Sequence, residues 1–176
     1  MLAQTEHEIR GYRRTAHANN LQGVETEFID PKTVKKLCPI IEISGPRFPV
    51  LGALWQPRGG TARHDAVAWG YARACSDMGM DIIQKCEVTD VLKTNGKVVG
   101  VETTKGVIKT HNLGIIVAGN SSILAEKAGF RLPIESVSLQ ALVSEPVKPC
   151  MDVVVMANTV HGYMSQSDKG EMVIGG

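Results

Sequence analysis

The stretch that decides the fold runs Val88-Thr89-Asp90-Val91-Leu92-Lys93-Thr94-Asn95-Gly96-Lys97-Val98-Val99-Gly100-Val101-Glu102-Thr103. Two apolar-rich runs flank Asn-Gly, a dipeptide that tolerates the positive φ angles of a tight hairpin turn. They predict antiparallel strands over Val88–Lys93 and Lys97–Thr103. Lys105-Gly106 turns the chain again and Val107–Thr110 returns. Next comes Leu113-Gly114-Ile115-Ile116-Val117-Ala118-Gly119, a short apolar run of buried-strand type. Ser121 is placed to cap a helix over Ile123–Ala128, and Gly129 to close it.

Working outward towards the N-terminus, a helix opens at Gly59-Gly60-Thr61-Ala62-Arg63-His64-Asp65. Ala66, Ala68, Trp69, Ala72 and Cys75 share one face of it, and Gly79 ends it. Asp81–Cys86 reads as a strand leading into the meander. Upstream, Gly45–Pro57 is an irregular link with a short strand within Val50–Trp55. Asp30 caps a short helix that has Pro31 in its first turn and runs through Cys38, where Pro39 stops it. Glu6–Asn19 reads as a solvated helix, with Gly23 beyond it.

Towards the C-terminus, Leu139–Glu145 and Val153–Met156 read as strands. Gly162–Gln166 and Glu171–Ile174 flank a turn at Asp168-Lys169-Gly170. The order is helices, meander, buried strand and helix, then antiparallel strands. It predicts a mixed α/β (α+β) fold, not a regular βαβ series. Both ends read as cut. The chain starts on a helix with no strand before it and stops at Met172-Val173-Ile174-Gly175-Gly176, a strand entering a turn. A cut of this kind would make residues 1–176 a piece of a longer chain; ordinary flexible termini are the alternative.

Composition narrows the function classes. A net charge of +1 with scattered Lys and Arg argues against a nucleic-acid footprint or a polybasic membrane patch. Aromatics at 5% supply no stacking platform for bases. No apolar run reaches membrane-spanning length, and the polar N-terminal stretch is no signal peptide. Cys38, Cys75, Cys86 and Cys150 form no CxxC and match neither a zinc site nor a disulfide framework. Reduced thiols, a cytoplasmic location and no metal site are expected.

Three groups carry chemistry, and each has a plain alternative. A histidine at a helix mouth, in Arg63-His64-Asp65, can serve as base, ligand or nucleophile, and Arg63 can pair with a phosphate or an anionic ring. It can equally be an ordinary surface residue. The Ala118-Gly119 turn leaves room for a ligand to come close before a helix N-terminus, or is simply a tight strand-to-helix turn. Tyr163 can offer a hydroxyl to a carboxylate, or can be half-buried strand packing. No G-x-G-x-x-G occurs, so the chain has no self-sufficient dinucleotide site.

From Pro49 to Arg73 the chain reads Pro-Val-Leu-Gly-Ala-Leu-Trp-Gln-Pro-Arg-Gly-Gly-Thr-Ala-Arg-His-Asp-Ala-Val-Ala-Trp-Gly-Tyr-Ala-Arg, and from Met80 it continues Asp-Ile-Ile-Gln-Lys-Cys-Glu-Val-Thr. With Leu37-Cys38-Pro39-Ile40-Ile41, Leu139 to Glu145, Ser165-Gln166 and Lys169-Gly170-Glu171, this resembles the beta subunits of heterotetrameric sarcosine oxidases. These belong to the D-amino-acid-oxidase-like flavoprotein superfamily. The likeness covers nearly the whole chain.

The resemblance implies a partial FAD-binding α/β fold, with residues 60–129 in the FAD-binding region and 130–176 in an antiparallel substrate sheet. It implies FAD taking a hydride from sarcosine and a covalent FMN passing electrons to oxygen. The imine then goes on to glycine and to formaldehyde or a tetrahydrofolate adduct. Alpha, gamma and delta subunits are the implied partners. His64 falls at the FMN-bearing histidine, with Arg63 at the preceding basic residue. Val88 falls at a backbone contact to FAD, Ala118 and Gly119 where the chain passes FAD, and Tyr163 at a substrate-pocket tyrosine. The glycine-rich segment for the ADP half of FAD is expected before Met1, and a Gly-rich segment with a lysine near the flavin after Gly176. Two alternatives stand beside this. One is a related FAD amine oxidase or dehydrogenase acting on dimethylglycine, glycine or a D-amino acid. The other is a non-catalytic interaction module on the same scaffold.

Overall fold

Leu2–Ala3 is a strand of two residues, β1, and the alternation of its side chains sets the layering around it. Leu2 joins Ile29, Val34, Val50 and Ala53 in one buried cluster, while Ala3 joins Tyr12, Ala16 and Leu54 in another. The second cluster holds α1 (Glu6–Leu21) and the first holds α2 (Pro31–Leu37). In β2 (Glu27–Ile29), Phe28 packs with the α1 cluster and Ile29 with the α2 cluster. Ala53 and Leu54 part in the same way in β3 (Gly52–Trp55). Strands with apolar residues on both faces are what a sheet covered on both sides requires.

The computed structural model describes residues 1–176. They form two units, Met1–Arg63 with Leu139–Gly176, and His64–Ser138. The expectation that no strand precedes the first helix is corrected by β1, which two residues make too short for any periodicity to reveal. α1 starts with a complete capping box: Thr5 accepts from the Glu8 N–H, and Glu8 accepts from the Thr5 N–H. Tyr12 and Ala16 are buried, so α1 is solvated on one side only. Asp30 caps α2 through the Thr33 N–H at 2.8 Å, as its sequence predicts.

The second unit opens with α3 (His64–Asp77), none of whose residues is buried. Ala72 and Cys75 are partly covered, whereas Trp69 is 58% exposed, so the expected apolar face exists without a packed layer on it. The meander follows its sequence closely as β4 (Val88–Thr94), β5 (Lys97–Thr103) and β6 (Gly106–Lys109), joined in that order. Asn95 and Gly96 turn the first hairpin with φ of 50° and 75°. α4 (Ser121–Ala128) packs on β4 and ends on Gly129 in the left-handed region, φ 92°.

Two strand expectations in this unit are corrected. Asp81–Cys86 and Leu113–Gly119 carry no ladder; Ala118–Asn120 is instead a single 3-10 turn. A strand exists through its hydrogen-bonded neighbours, and neither run has one. Ile82, Ile83 and Ile116 are accordingly open, Ile116 to 90%, while Leu113, Ile115 and Val117 are half-buried. The helix also starts at Ser121 itself. No side chain caps it, and the Ser121 hydroxyl donates back to the Ala118 carbonyl at 2.7 Å.

The chain then returns to the first unit as β7 (Ala141–Pro146), β8 (Val155–Ala157), β9 (Gly162–Gln166) and β10 (Glu171–Gly175). The finished sheet has the order β2-β3-β1-β8-β9-β10-β7. Every pairing is antiparallel except β1 with β8, where Leu2 lies opposite Ala157. This one parallel seam puts the two separate chain stretches of the unit into a single mixed sheet.

Candidate functional site

His64 is the first residue of α3 and is exposed, and Asp65 stands in the first turn where the helix dipole favours a carboxylate. Gly60, four residues earlier, has nothing within 4 Å of the position a Cβ would take. Arg63, the last residue of the first unit, donates from Nη1 to Asp168 Oδ2 at 3.3 Å. Asp168 belongs to the turn between β9 and β10. Its side chain and that of Arg63 are 60% and 56% exposed, so this is a solvent-screened pair.

Val88 opens β4 opposite Thr103, half-buried. The register moves by one between Val88 and Asp90, which makes Thr89 an extra residue and the start of β4 a bulge. Ala118 adopts φ 47°, an unusual angle for a residue with a Cβ, and both it and Gly119 are exposed. The Gly119 carbonyl accepts from Ser136 Oγ at 2.6 Å, and a Cβ at Gly119 would meet no atom closer than that Oγ, at 3.5 Å. The turn is shaped and open, but not crowded. Tyr163 lies on β9 between Met156 of β8 and Gly175 of β10, 38% exposed.

These residues divide between the two units. Tyr163 and Arg63 belong to the first unit, and His64, Val88, Ala118 and Gly119 to the second. Within the first unit, Arg63 reaches the turn beyond Gln166, while Tyr163 stands near the other end of β9. Within the second, the Thr89 carbonyl next to Val88 accepts from Lys127 in the last turn of α4, whereas Ala118-Gly119 precedes its first turn. An eight-residue helix, roughly 12 Å long, separates the two. A half-open pocket of about 50 Å³ lies against α2, lined by Leu2, Val34, Leu37, Cys38, Trp55 and Val155. It is apolar, far too small for a flavin, and touches none of the residues above.

Sequence reasoning missed two residues. Asp168 was visible only as part of a turn, and its partner is 105 positions away. Gly175 read as the start of a terminal turn, whereas it lies beneath the Tyr163 ring. The four cysteines are unpaired, no group of three or more His, Cys, Asp or Glu comes together, and no helix is long and apolar enough to cross a membrane.

The mixed sheet with one parallel seam in the first unit, and in the second a meander followed by a turn into α4, are the elements that this chain shares with FAD-dependent oxidoreductases. The chain belongs to the DAO family of FAD dependent oxidoreductases, whose family model matches residues 1–176. It is 72% identical over 176 residues to the sarcosine oxidase subunit beta of Rhodobacter capsulatus, covering all of this chain and 42% of that one. The corresponding subunit of Rhizobium meliloti is 53% identical over 165 residues, 94% of this chain and 40% of that one. The chain thus spans about two fifths of the length of these relatives. Among solved structures, L-proline dehydrogenase from P. horikoshii superposes with a TM-score of 0.83 at 25% identity, over 99% of this chain and 46% of that one. Glycine oxidase from Bacillus cereus has a TM-score of 0.77 at 20% identity, over 98% of this chain and 46% of that one, a likeness of fold.

Proposed function

We infer that this chain is part of a sarcosine oxidase beta subunit, and that the whole assembly oxidises sarcosine to glycine. The observation that carries the reading is identity of 72% along all 176 residues to a subunit of that name. In this reading, alpha, gamma and delta subunits complete the enzyme, and the one-carbon unit leaves as formaldehyde or on tetrahydrofolate. FAD and a covalent FMN supply the electron acceptors, the first taking a hydride from the amine carbon and the second delivering electrons to oxygen.

The residues present fit both groups. Covalent attachment needs an imidazole that a bulky ring edge can reach, and His64 stands exposed at a helix mouth with open space about Gly60. Arg63 supplies positive charge beside it. The open Ala118-Gly119 turn and the bulged start of β4 at Val88 are backbone that another group can approach closely, which suits an extended cofactor. Tyr163 offers a hydroxyl donor for a carboxylate substrate.

The test is His64→Ala in the full-length subunit, expressed with its partner subunits. After acid precipitation the wild-type pellet keeps one flavin and the variant pellet none. A variant pellet that still carries flavin would place the anchor elsewhere. The 25% identity to L-proline dehydrogenase supports a second reading, a related FAD amine dehydrogenase. Turnover of a panel of N-methyl and cyclic amino acids by the same complex separates the two, since preference for sarcosine belongs only to the first.

A further inference from the structure

We propose that Lys127 is a positioning residue for FAD: from the last turn of α4 it holds the bulge of β4 in the shape that leaves the Val88 backbone open to the cofactor. The inference rests on the reading of Val88 as an FAD contact given above. Glu87, just before β4, faces β5. Its carbonyl accepts from the Thr104 N–H at 3.0 Å, and its N–H donates to Thr104 Oγ1 at 3.1 Å. Bonded and non-bonded positions alternate along an antiparallel pair, so the N–H and C=O of Val88, opposite Thr103, point away from β5. β4 is an edge of its three-stranded sheet. An edge of this kind presents backbone donors and acceptors to a ligand.

The next residue decides how firmly that edge is held. The shift of register between Val88 and Asp90 leaves Thr89 without a partner in the ladder. The Thr89 carbonyl accepts from Lys127 Nζ at 2.5 Å. A bulge is soft at its extra residue: rotation of the Thr89–Asp90 peptide turns the neighbouring Val88–Thr89 peptide, and the Val88 carbonyl with it. Lys127 removes that freedom from a firm mount. α4 packs on β4, its Ala125 is fully buried, and Gly129 closes it with an N–H to the Glu126 carbonyl at 2.9 Å. A lysine in the last turn of a helix is also favoured by the dipole, but that role needs no partner on β4. Lys93, four residues beyond Thr89, provides the comparison. Its Nζ lies 2.8 Å from where a Cβ on Gly129 would stand, at the same end of α4. Both lysines thus serve the helix terminus, and of the two it is Lys127 that holds the backbone beside Val88. Lys127 itself touches no flavin in this scheme, and acts through Thr89.

The experiment uses the full-length subunit with its partner subunits, stripped of FAD and then titrated with it, the free FAD being measured by ultrafiltration. Lys127 is exposed, so Lys127→Met leaves the core untouched, keeps the side-chain stem and removes the donor. It should raise the dissociation constant of FAD roughly three- to tenfold, the range of one net hydrogen bond. It should also speed amide exchange in the stretch carrying Thr89 and Asp90 of the FAD-free complex. Lys127→Arg should restore both. Lys93→Met, which removes a charge from the same helix end, should leave both at wild-type values. Wild-type FAD affinity in Lys127→Met, or an equal loss in Lys93→Met, would overturn the proposal, the latter by reducing Lys127 to a helix-end charge. Val88→Pro separates this failure from failure of the underlying reading. Proline is tolerated at the first residue of an edge strand, and here it removes an N–H that points away from the ladder. Weakened FAD binding in Val88→Pro beside wild-type binding in Lys127→Met would keep Val88 at the cofactor and discard the role of Lys127. Wild-type binding in Val88→Pro would discard the Val88 contact and this inference together.

Discussion

The phenol ring of Tyr163 lies over Gly175, its partner across the β9–β10 ladder. A Cβ built on Gly175 would fall 2.5 Å from the Tyr163 hydroxyl and 2.6 Å from Cζ. Glycine is needed here because the ring occupies the side-chain space, whatever the backbone angles. Gly175→Ala in the full-length subunit must therefore displace the ring or bend the strand. A cost of about 1–3 kcal/mol is expected, as for other overpacked sites, read as a lower urea midpoint at unchanged slope. A midpoint equal to that of the wild type would show that the ring swings aside freely.

If the Tyr163 hydroxyl meets the substrate carboxylate, Tyr163→Phe removes one hydrogen bond to a charged group. The expected loss is about 1.5–3 kcal/mol, or roughly ten- to a hundredfold in kcat/KM, with flavin content unchanged. Gly175→Ala should shift the same constant in the same direction, because it moves the same hydroxyl. Steady-state constants equal to wild type in Tyr163→Phe would leave the ring with the single task of covering Gly175.

Gln166 ties the loop before β8 to the β9–β10 turn. Its Oε1 accepts from the N–H groups of Cys150 and Met151 at 2.8 and 3.1 Å, and its Nε2 donates to the carbonyls of Val147, Lys148 and Gly170. Gln166→Leu matches the volume and removes the side-chain partner of all five backbone groups, of which the Gly170 carbonyl keeps the Val147 N–H. Met151, buried beside this clamp, cannot easily open to solvent. A loss of about 2 kcal/mol is expected, together with faster amide exchange at Cys150 and Met151. Unchanged exchange at those two amides would mean that the loop is held by its apolar contacts alone.

How far the sequence reads correctly depends on where each element finds its partners. Asp30 with Pro31, and Asn95 with Gly96, act within a few residues, and both the α2 cap and the first hairpin stand where the sequence puts them. Asp81–Cys86 and Leu113–Gly119 have strand-like composition, but a ladder depends on a neighbour that composition does not reveal, and none pairs with them. β1 is the converse, two residues that become a strand because β3 and β8 lie on either side. The site shows the same division. The start of α3 at His64 and a turn at Ala118-Gly119 into α4 are local features that the sequence shows, although the strand expected before that turn is absent. The contacts of Arg63 with Asp168 and of Tyr163 with Gly175 arise from folding and register, and no short-range pattern announces them.

Glu8 links the N-terminus of α1 to the far stretch of the chain, and this makes its titration a measure of the first unit's stability. Burial alone would raise its pKa. Hydrogen bonds from the Gln4 N–H, from Thr159 Oγ1, and from the Thr5 hydroxyl and N–H outweigh it and hold the pKa below the ordinary value of 4.5. A carboxylate with a depressed folded-state pKa contributes stability that is fully present above its unfolded value and is lost as pH falls through the folded one. The difference in urea midpoint between the wild type and Glu8→Gln should therefore be constant at neutral pH. It should begin to shrink near pH 4.5 and continue to fall below it. The amplitude is small because Glu8 remains partly solvated. Asp30 and Glu42, whose pKa values are also lowered, chiefly by the Thr33 N–H and by Ser44 respectively, give slopes of the same sign; both are common to the two proteins and cancel in the comparison. Replacing Thr159 by Val should reduce the same difference without touching the capping box, since it removes only the link between the two chain stretches. A midpoint difference that stays constant from pH 7 down to pH 3, roughly the span over which carboxylates titrate, would mean that Glu8 has the same pKa folded and unfolded and that these hydrogen bonds do not stabilise its charge.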